Sequence, residues 1–263
     1  SEMCIRDRYE PTGATPAIVT DITDKDVAMN IMYEDAVFKA LPTTWLYMKY
    51  SDDDGNTWSD PILLNDMVKS EESRILVVGP GRGTQIQNGE YKGRLIVPVY
   101  DNSKSGIIYS DDHGATWNYA EGPNTSAAAM SETQIVEMPD GSLRVYARSN
   151  NSKIASAVSI DGGETWSAAE YVPGLTQPGW GSQLSVIGYD GLVEGKPAII
   201  LSSPAGVGSY RKDGRIKIGL ITDTGNTGVE KYDIQWKYDY SVDATNVGYS
   251  YSCLTELPNQ NIG

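Results

Sequence analysis

Histidine and phenylalanine each occur once in this chain of 263 residues, and cysteine twice. The lone His113 sits inside a turn motif, which rules out a histidine-rich metal site and a Ser-His triad. Cys4 and Cys253 make no disulfide framework. Positive charge is scarce as well: 21 Lys and Arg stand against 35 Asp and Glu, a formal net charge of -14, which argues against a nucleic-acid or anionic-membrane partner. No apolar run reaches the roughly 20 residues of a membrane-spanning helix, and no signal peptide opens the chain. That last absence carries little weight, because Met3 follows Ser1-Glu2 and the string SEMCIRDR has no periodicity. Residues 1–8 are read as a foreign or artefactual start. Whatever chemistry the chain performs must rest on carboxylates, tyrosines and arginines, with no metal and no cofactor required.

The chain is rich in 17 Tyr and 6 Trp, side chains with a flat apolar face and a polar edge that suit sugar sites as well as exposed sheets. It also repeats itself. The skeleton S-x-D-x-G-x-T-W occurs at Ser51–Trp58, Ser110–Trp117 and Ser159–Trp166, with a degraded fourth copy around Asp223–Thr227. Each copy describes a self-bonded hairpin in which Asp accepts nearby N–H groups, Gly takes a positive φ, Thr caps the turn and Trp folds back. Asp53, Asp112 and Asp161 are therefore read as structural; a calcium loop would need a different ligand spacing ending in Glu. Copies 59 and 49 residues apart, each after a short apolar run, have the spacing of four-stranded propeller blades. The repeat resembles the Asp-box of sialidases and of several other propeller families.

Strands are expected at 44–51, 74–78, 94–100, 105–110, 153–159, 196–202, 215–222 and 248–257, and a short helix at 34–40. Residues 131–138 and 142–149 flank a Pro139-Asp140-Gly141 turn and read as a hairpin of two inner strands. The loop Gly79-Pro80-Gly81-Arg82-Gly83 lacks the Lys-Ser/Thr and the helix of a phosphate loop, and is read as a tight turn between strands.

Inner strands line the central channel, so polar residues at their ends are candidates for chemistry. Glu132 opens one arm of the hairpin, Arg148 closes the other, and Tyr251 lies in a Tyr-Ser-Tyr-Ser-Cys run. A structural ion pair and a buried ring would explain the same pattern.

The strings GYSYSCLTELPN, SETQIVEMPDGSLRVYARS, GPGRG and YKGRLIVPVY, with the three Asp-boxes, resemble the catalytic domain of bacterial secreted exo-α-sialidases from about Trp45 to Gly263. That resemblance implies an all-β, six-bladed propeller of which residues 41–263 supply the later blades, with 9–40 as the tail of an inserted small domain. It implies Tyr251 as nucleophile, Glu132 as the carboxylate that takes the phenolic proton, and Arg148 and Arg211 as two members of an arginine triad that clamps the substrate carboxylate. Arg215 stays open as an alternative to Arg211, and Tyr249, on the same face of an ideal strand, is the rival of Tyr251.

A neutral phenol suits this task, since an anionic nucleophile would be repelled by a substrate carboxylate on the anomeric carbon. The partners implied are sialylated glycans, and the implied location is secreted or cell-surface. The family's first arginine, on an Arg-Ile-Pro strand, and its acid/base aspartate have no counterpart in this sequence. The chain alone is therefore expected to be inactive. The expected activity of the parent is retaining exo-sialidase; the alternatives are an intramolecular trans-sialidase or a non-catalytic Asp-box propeller that binds glycans or proteins.

Overall fold

The computed structural model describes residues 44–70, 75–101, 104–123, 131–149, 151–206, 208–242 and 247–263, together with the backbone of three short strands nearer the start. The expected start segment 1–8, the helix at 34–40 and the residues 124–130 lie outside the described residues. Contacts divide the chain into two units, Ser1–Thr44 and Trp45–Gly263. In the first, β1 (Tyr9–Pro11), β2 (Ile18–Asp21) and β3 (Ala28–Asn30) form an antiparallel sheet in chain order.

The second unit is a run of antiparallel sheets. β4 (Tyr47–Met48) pairs with β5 (Ile62–Leu63). The next sheet contains β6 (Val77–Val78), β7 (Thr84–Gln85), β8 (Leu95–Tyr100), β9 (Ser105–Ser110) and β10 (Asn118–Glu121). A third comprises β11 (Thr133–Glu137), β12 (Leu143–Arg148), β13 (Lys153–Ser159) and β14 (Glu170–Thr176). The last holds β15 (Ser185–Val193), β16 (Lys196–Pro204), β17 (Gly214–Asp223) and β18 (Tyr232–Ser241). Strands follow one another in each sheet as meanders, the pattern of propeller blades.

Sheet faces are covered by the neighbouring sheets, which is why β13 is buried on both sides along most of its length. One apolar layer joins Ile86, Ile96 and Ile107 to Ile135, Leu143 and Val145. The next joins Val136, Tyr146 and Ile154 to Val186, Ile199 and Leu201. At the exposed side of the last blade, β18 alternates apolar Tyr232, Ile234 and Trp236 with polar residues, as a strand with one solvated face must.

The three repeats link β4 to β5, β9 to β10 and β13 to β14. Their bonding is the same in all three copies. The carboxylate of Asp112 accepts the Ser110 hydroxyl and the Thr116 amide at 2.8 Å and the Thr116 hydroxyl at 2.6 Å. Trp117 Nε1 donates to the Gly114 carbonyl at 3.1 Å, and Asp53 and Asp161 sit in matching turns. Left-handed backbone occupies two consecutive positions, Asp54-Gly55, His113-Gly114 and Gly162-Gly163. Asp and His tolerate that region better than most side chains, which accounts for the lone histidine. The degraded copy folds differently: the Asp223 carboxylate accepts the Gly225 amide at 2.8 Å, and Thr224 binds back to Lys231. Arg94, 6 % exposed, ties two boxes together through Asp111, Glu164 and the Gly162 carbonyl, so its buried charge is paired.

These bonds hold the box carboxylates below their ordinary range. Asp112 is drawn down to about 2, chiefly by Thr116 and then by Ser110; at Asp161 burial works the other way and the Thr165 bonds outweigh it. A folded pKa below the unfolded one contributes stability that is complete above about pH 4 and lost as pH falls toward 2. Asp112→Asn is expected to lower Tm at neutral pH by about 2–4 °C and to flatten the acid limb, checked by thermal unfolding from pH 7 to pH 2.

The Gly79–Gly83 loop lies between strands, as expected, joining β6 to β7; both pair with β8, at Val77↔Tyr100 and Thr84↔Ile96, so it interrupts one edge of the sheet. One expectation is corrected. Residues 248–257 do not form a strand; they make only isolated bridges, Lys212↔Gly248 and Glu256↔Ile262. The physical reason is Tyr251, whose φ of 57° breaks the extended path.

Candidate active site

Glu132 and Arg148 meet because the hairpin β11–β12 brings them opposite one another, with the Arg148 amide donating to the Glu132 carbonyl at 3.0 Å. Their side chains form an ion pair, Arg148 Nη1 to Glu132 Oε2, at 2.8 Å. The Tyr251 hydroxyl donates to the other carboxylate oxygen, Glu132 Oε1, at 2.6 Å, and Arg148 Nη1 lies 3.4 Å from the phenol oxygen. Glu132 is 8 % exposed at its side chain, whereas Tyr251 is 47 % exposed. The carboxylate is thus shielded while the phenol reaches solvent.

Two arginines are aimed here by one turn. Arg148 donates through Nε and Nη2 to the Trp180 carbonyl at 3.2 and 2.9 Å. Arg211 donates through Nε to the Gly181 carbonyl at 3.3 Å and places its guanidinium 5.3 Å from the centre of the Tyr251 ring. Gly181 has a φ of 66°, and a Cβ there would stand 2.4 Å from the Ser149 carbonyl oxygen, so the turn admits only glycine. Arg215 is elsewhere, paired with Asp239 at 2.7 Å on the β17–β18 ladder.

With the phenol neutral, two guanidinium groups against one carboxylate leave a local positive field in a chain of net charge -14. Such a field, within a screening length of about 8 Å, controls a bound anion. Burial raises the Tyr251 phenol above its ordinary pKa, the Glu132 hydrogen bond and charge add to this, and Arg148 and Arg211 partly offset them. Burial alone would lower Arg148, but the bond and charge of Glu132 outweigh it and hold the guanidinium firmly protonated. A phenol of this kind is a nucleophile only when a base takes its proton as it attacks, and Glu132 is in contact to do so.

The structure brings Tyr251, Glu132, Arg148 and Arg211 together. It keeps Asp53, Asp112 and Asp161 in their own turns, bonded to Ser and Thr of the same box. Tyr249 does not share the face of Tyr251: its hydroxyl bonds to Ser202, because the left-handed residue at 251 rotates the chain between them. Among the described residues no group of three or more His, Cys, Asp or Glu could hold a metal. The role of the 180–181 carbonyls was not legible from residue types, though the Gln177-Pro178-Gly179-Trp180-Gly181 string does mark a turn. Tyr100, whose phenol is raised by burial and then by the charge of Glu132, was also missed.

The fold is a β-propeller whose site sets a tyrosine hydrogen-bonded to a carboxylate beside two arginines. The chain belongs to the sialidase-type family of such propellers, matching the family described as "BNR repeat-like domain" over residues 9–260. It is 53% identical, over 97% of its length, to the anhydrosialidase of Macrobdella decora, of which it covers 34%. A crystal structure of the intramolecular trans-sialidase from Ruminococcus gnavus with oseltamivir carboxylate superposes with TM-score 0.79 at 53% identity, covering 97% of this chain and 52% of that one. A leech intramolecular trans-sialidase complexed with 2,7-anhydro-Neu5Ac superposes with TM-score 0.80 at 50% identity, covering 97% of this chain and 37% of that one. The chain spans about a third of the length of the curated relative it matches at 53% identity.

Proposed function

We propose that this chain carries the tyrosine half of a sialidase site and that the protein containing it is an intramolecular trans-sialidase acting on sialylated glycans. The observation that carries the reading is the 2.6 Å contact of Tyr251 with Glu132, flanked by Arg148 and Arg211. In this mechanism Arg148 and Arg211 bind the substrate carboxylate, Glu132 takes the phenolic proton, and the Tyr251 oxygen bonds to the anomeric carbon as the glycosidic bond breaks. The third arginine and the acid that protonates the leaving oxygen come from sequence outside this chain, and residues 9–40 from a small inserted domain. A secreted or cell-surface location rests on the family resemblance alone.

The intermediate can then be opened by water or by the substrate's own O7. The similarity to proteins named for the second outcome favours the 2,7-anhydro product over the free acid expected from the Asp-box and tyrosine motifs alone. A retaining hydrolase remains the second reading, since the Tyr251–Glu132 pair serves both. Mass spectrometry of the products from a 3'-sialyl oligosaccharide separates them. The proposal expects a sugar acid lighter by one water than free sialic acid; free sialic acid as the initial product would establish the hydrolase instead.

A further inference from the structure

Tyr251 is the one phenylalanine, tyrosine or tryptophan among the described residues with positive φ. A left-handed backbone is unfavourable for an ordinary side chain and persists only where its surroundings over-determine it. The surroundings here are specific. Tyr249 and Ser252, on either side of Tyr251, both bond to the hydroxyl of Ser202, the latter at 3.0 Å. Ser202 is fully buried at the end of an otherwise apolar stretch of β16. Gln183 Nε2 donates to the Ser252 carbonyl at 2.9 Å, and Ser185, the cross-strand partner of Ser202, accepts the Leu254 amide at 2.9 Å. The Tyr249 ring lies over Gly214, where a Cβ would come within 2.4 Å of it. A buried hydroxyl in a β-strand is costly unless it is bonded, and that of Ser202 is spent on the two residues that bracket Tyr251.

We infer that Ser202 is a positioning residue: by gripping Tyr249 and Ser252 together it holds the backbone of Tyr251 left-handed and thereby keeps the phenol on Glu132. Gln183 is the second point of the same clamp. Without the Ser202 hydroxyl the segment loses both grips, residue 251 relaxes toward negative φ, and the phenol swings off the carboxylate. The inference rests on the proposed site for its catalytic meaning but not for its geometry, so two readouts separate them.

The first readout is on the enzyme containing this chain, with ¹³Cζ-labelled tyrosine, the Tyr251 signal being assigned by its loss in Tyr251→Phe. In the parent chain Tyr251 is expected to titrate above an ordinary tyrosine. In Ser202→Ala, and to a lesser degree in Tyr249→Phe, which keeps the ring, its titration is expected to move toward the ordinary value. The second readout is turnover by the enzyme containing this chain. There Ser202→Ala is expected to lower kcat about 10- to 100-fold with KM for a sialoside changed less than about 3-fold, and the Ser202→Ala/Tyr249→Phe pair to be no worse than Ser202→Ala alone. A Tyr251 titration unmoved in both single variants overturns the inference, as does additive loss in the pair. A titration that moves while turnover stays intact upholds the clamp and removes Tyr251 from catalysis.

Discussion

Tyr251→Phe in the enzyme containing this chain is expected to lower kcat/KM for an aryl sialoside by about 10³-fold or more, and Glu132→Gln by roughly 10²–10⁴-fold, the usual weight of a positioned base. The two act as a unit, because the carboxylate has no proton to take once the hydroxyl is gone. The double variant should therefore be no slower than Tyr251→Phe alone, as is general for residues that share one step. Steady-state kinetics on the four proteins check this. Multiplicative losses would mean that Glu132 acts on something other than the phenol, against the 2.6 Å contact that joins them.

The second large effect is on stability. Arg148→Met removes the partner of a carboxylate that is 8 % exposed at its side chain and leaves two bonds to the Trp180 carbonyl unmade. Breaking a buried pair from one side typically costs about 3–5 kcal/mol; with Arg148 itself partly exposed, about 2–3 kcal/mol is expected, a fall in Tm of roughly 5–10 °C. Arg215→Met removes a partly exposed partner of Asp239 and is expected to cost less than about 1 kcal/mol. Calorimetry of the two variants side by side distinguishes the arginine at the site from the arginine on the ladder, and binding of a sialic acid analogue should weaken only in the first.

How much of this was legible in the sequence differs from element to element. The Asp-boxes were readable down to their hydrogen bonds, because every bond is local and made by residue types fixed in one octapeptide. The hairpin β11–β12 was readable for the same reason: its turn at Pro139-Asp140-Gly141 sets the register and so places Glu132 against Arg148. β18, whose alternation from Tyr232 to Tyr240 is plain, could have been found from period alone. The segment 248–257 was misread because its Tyr-Ser-Tyr-Ser pattern has the period of a strand, while its conformation is imposed by Ser202, Gln183 and Ser185 from far along the chain. The choice between Tyr249 and Tyr251, and between Arg211 and Arg215, turns on that same long-range clamp and on Asp239, neither of which leaves a local mark.

The central claim is that the Tyr251 oxygen forms the bond to the anomeric carbon. It is tested most directly by trapping: a 3-fluorosialosyl fluoride slows the second step more than the first, and the labelled enzyme is digested and sequenced by mass spectrometry. The account predicts a single sialosyl adduct on Tyr251, absent from Tyr251→Phe and slow to form in Glu132→Gln. An adduct on Tyr249, on Glu132 or on any other side chain of an enzyme that turns over the parent sialoside would contradict it.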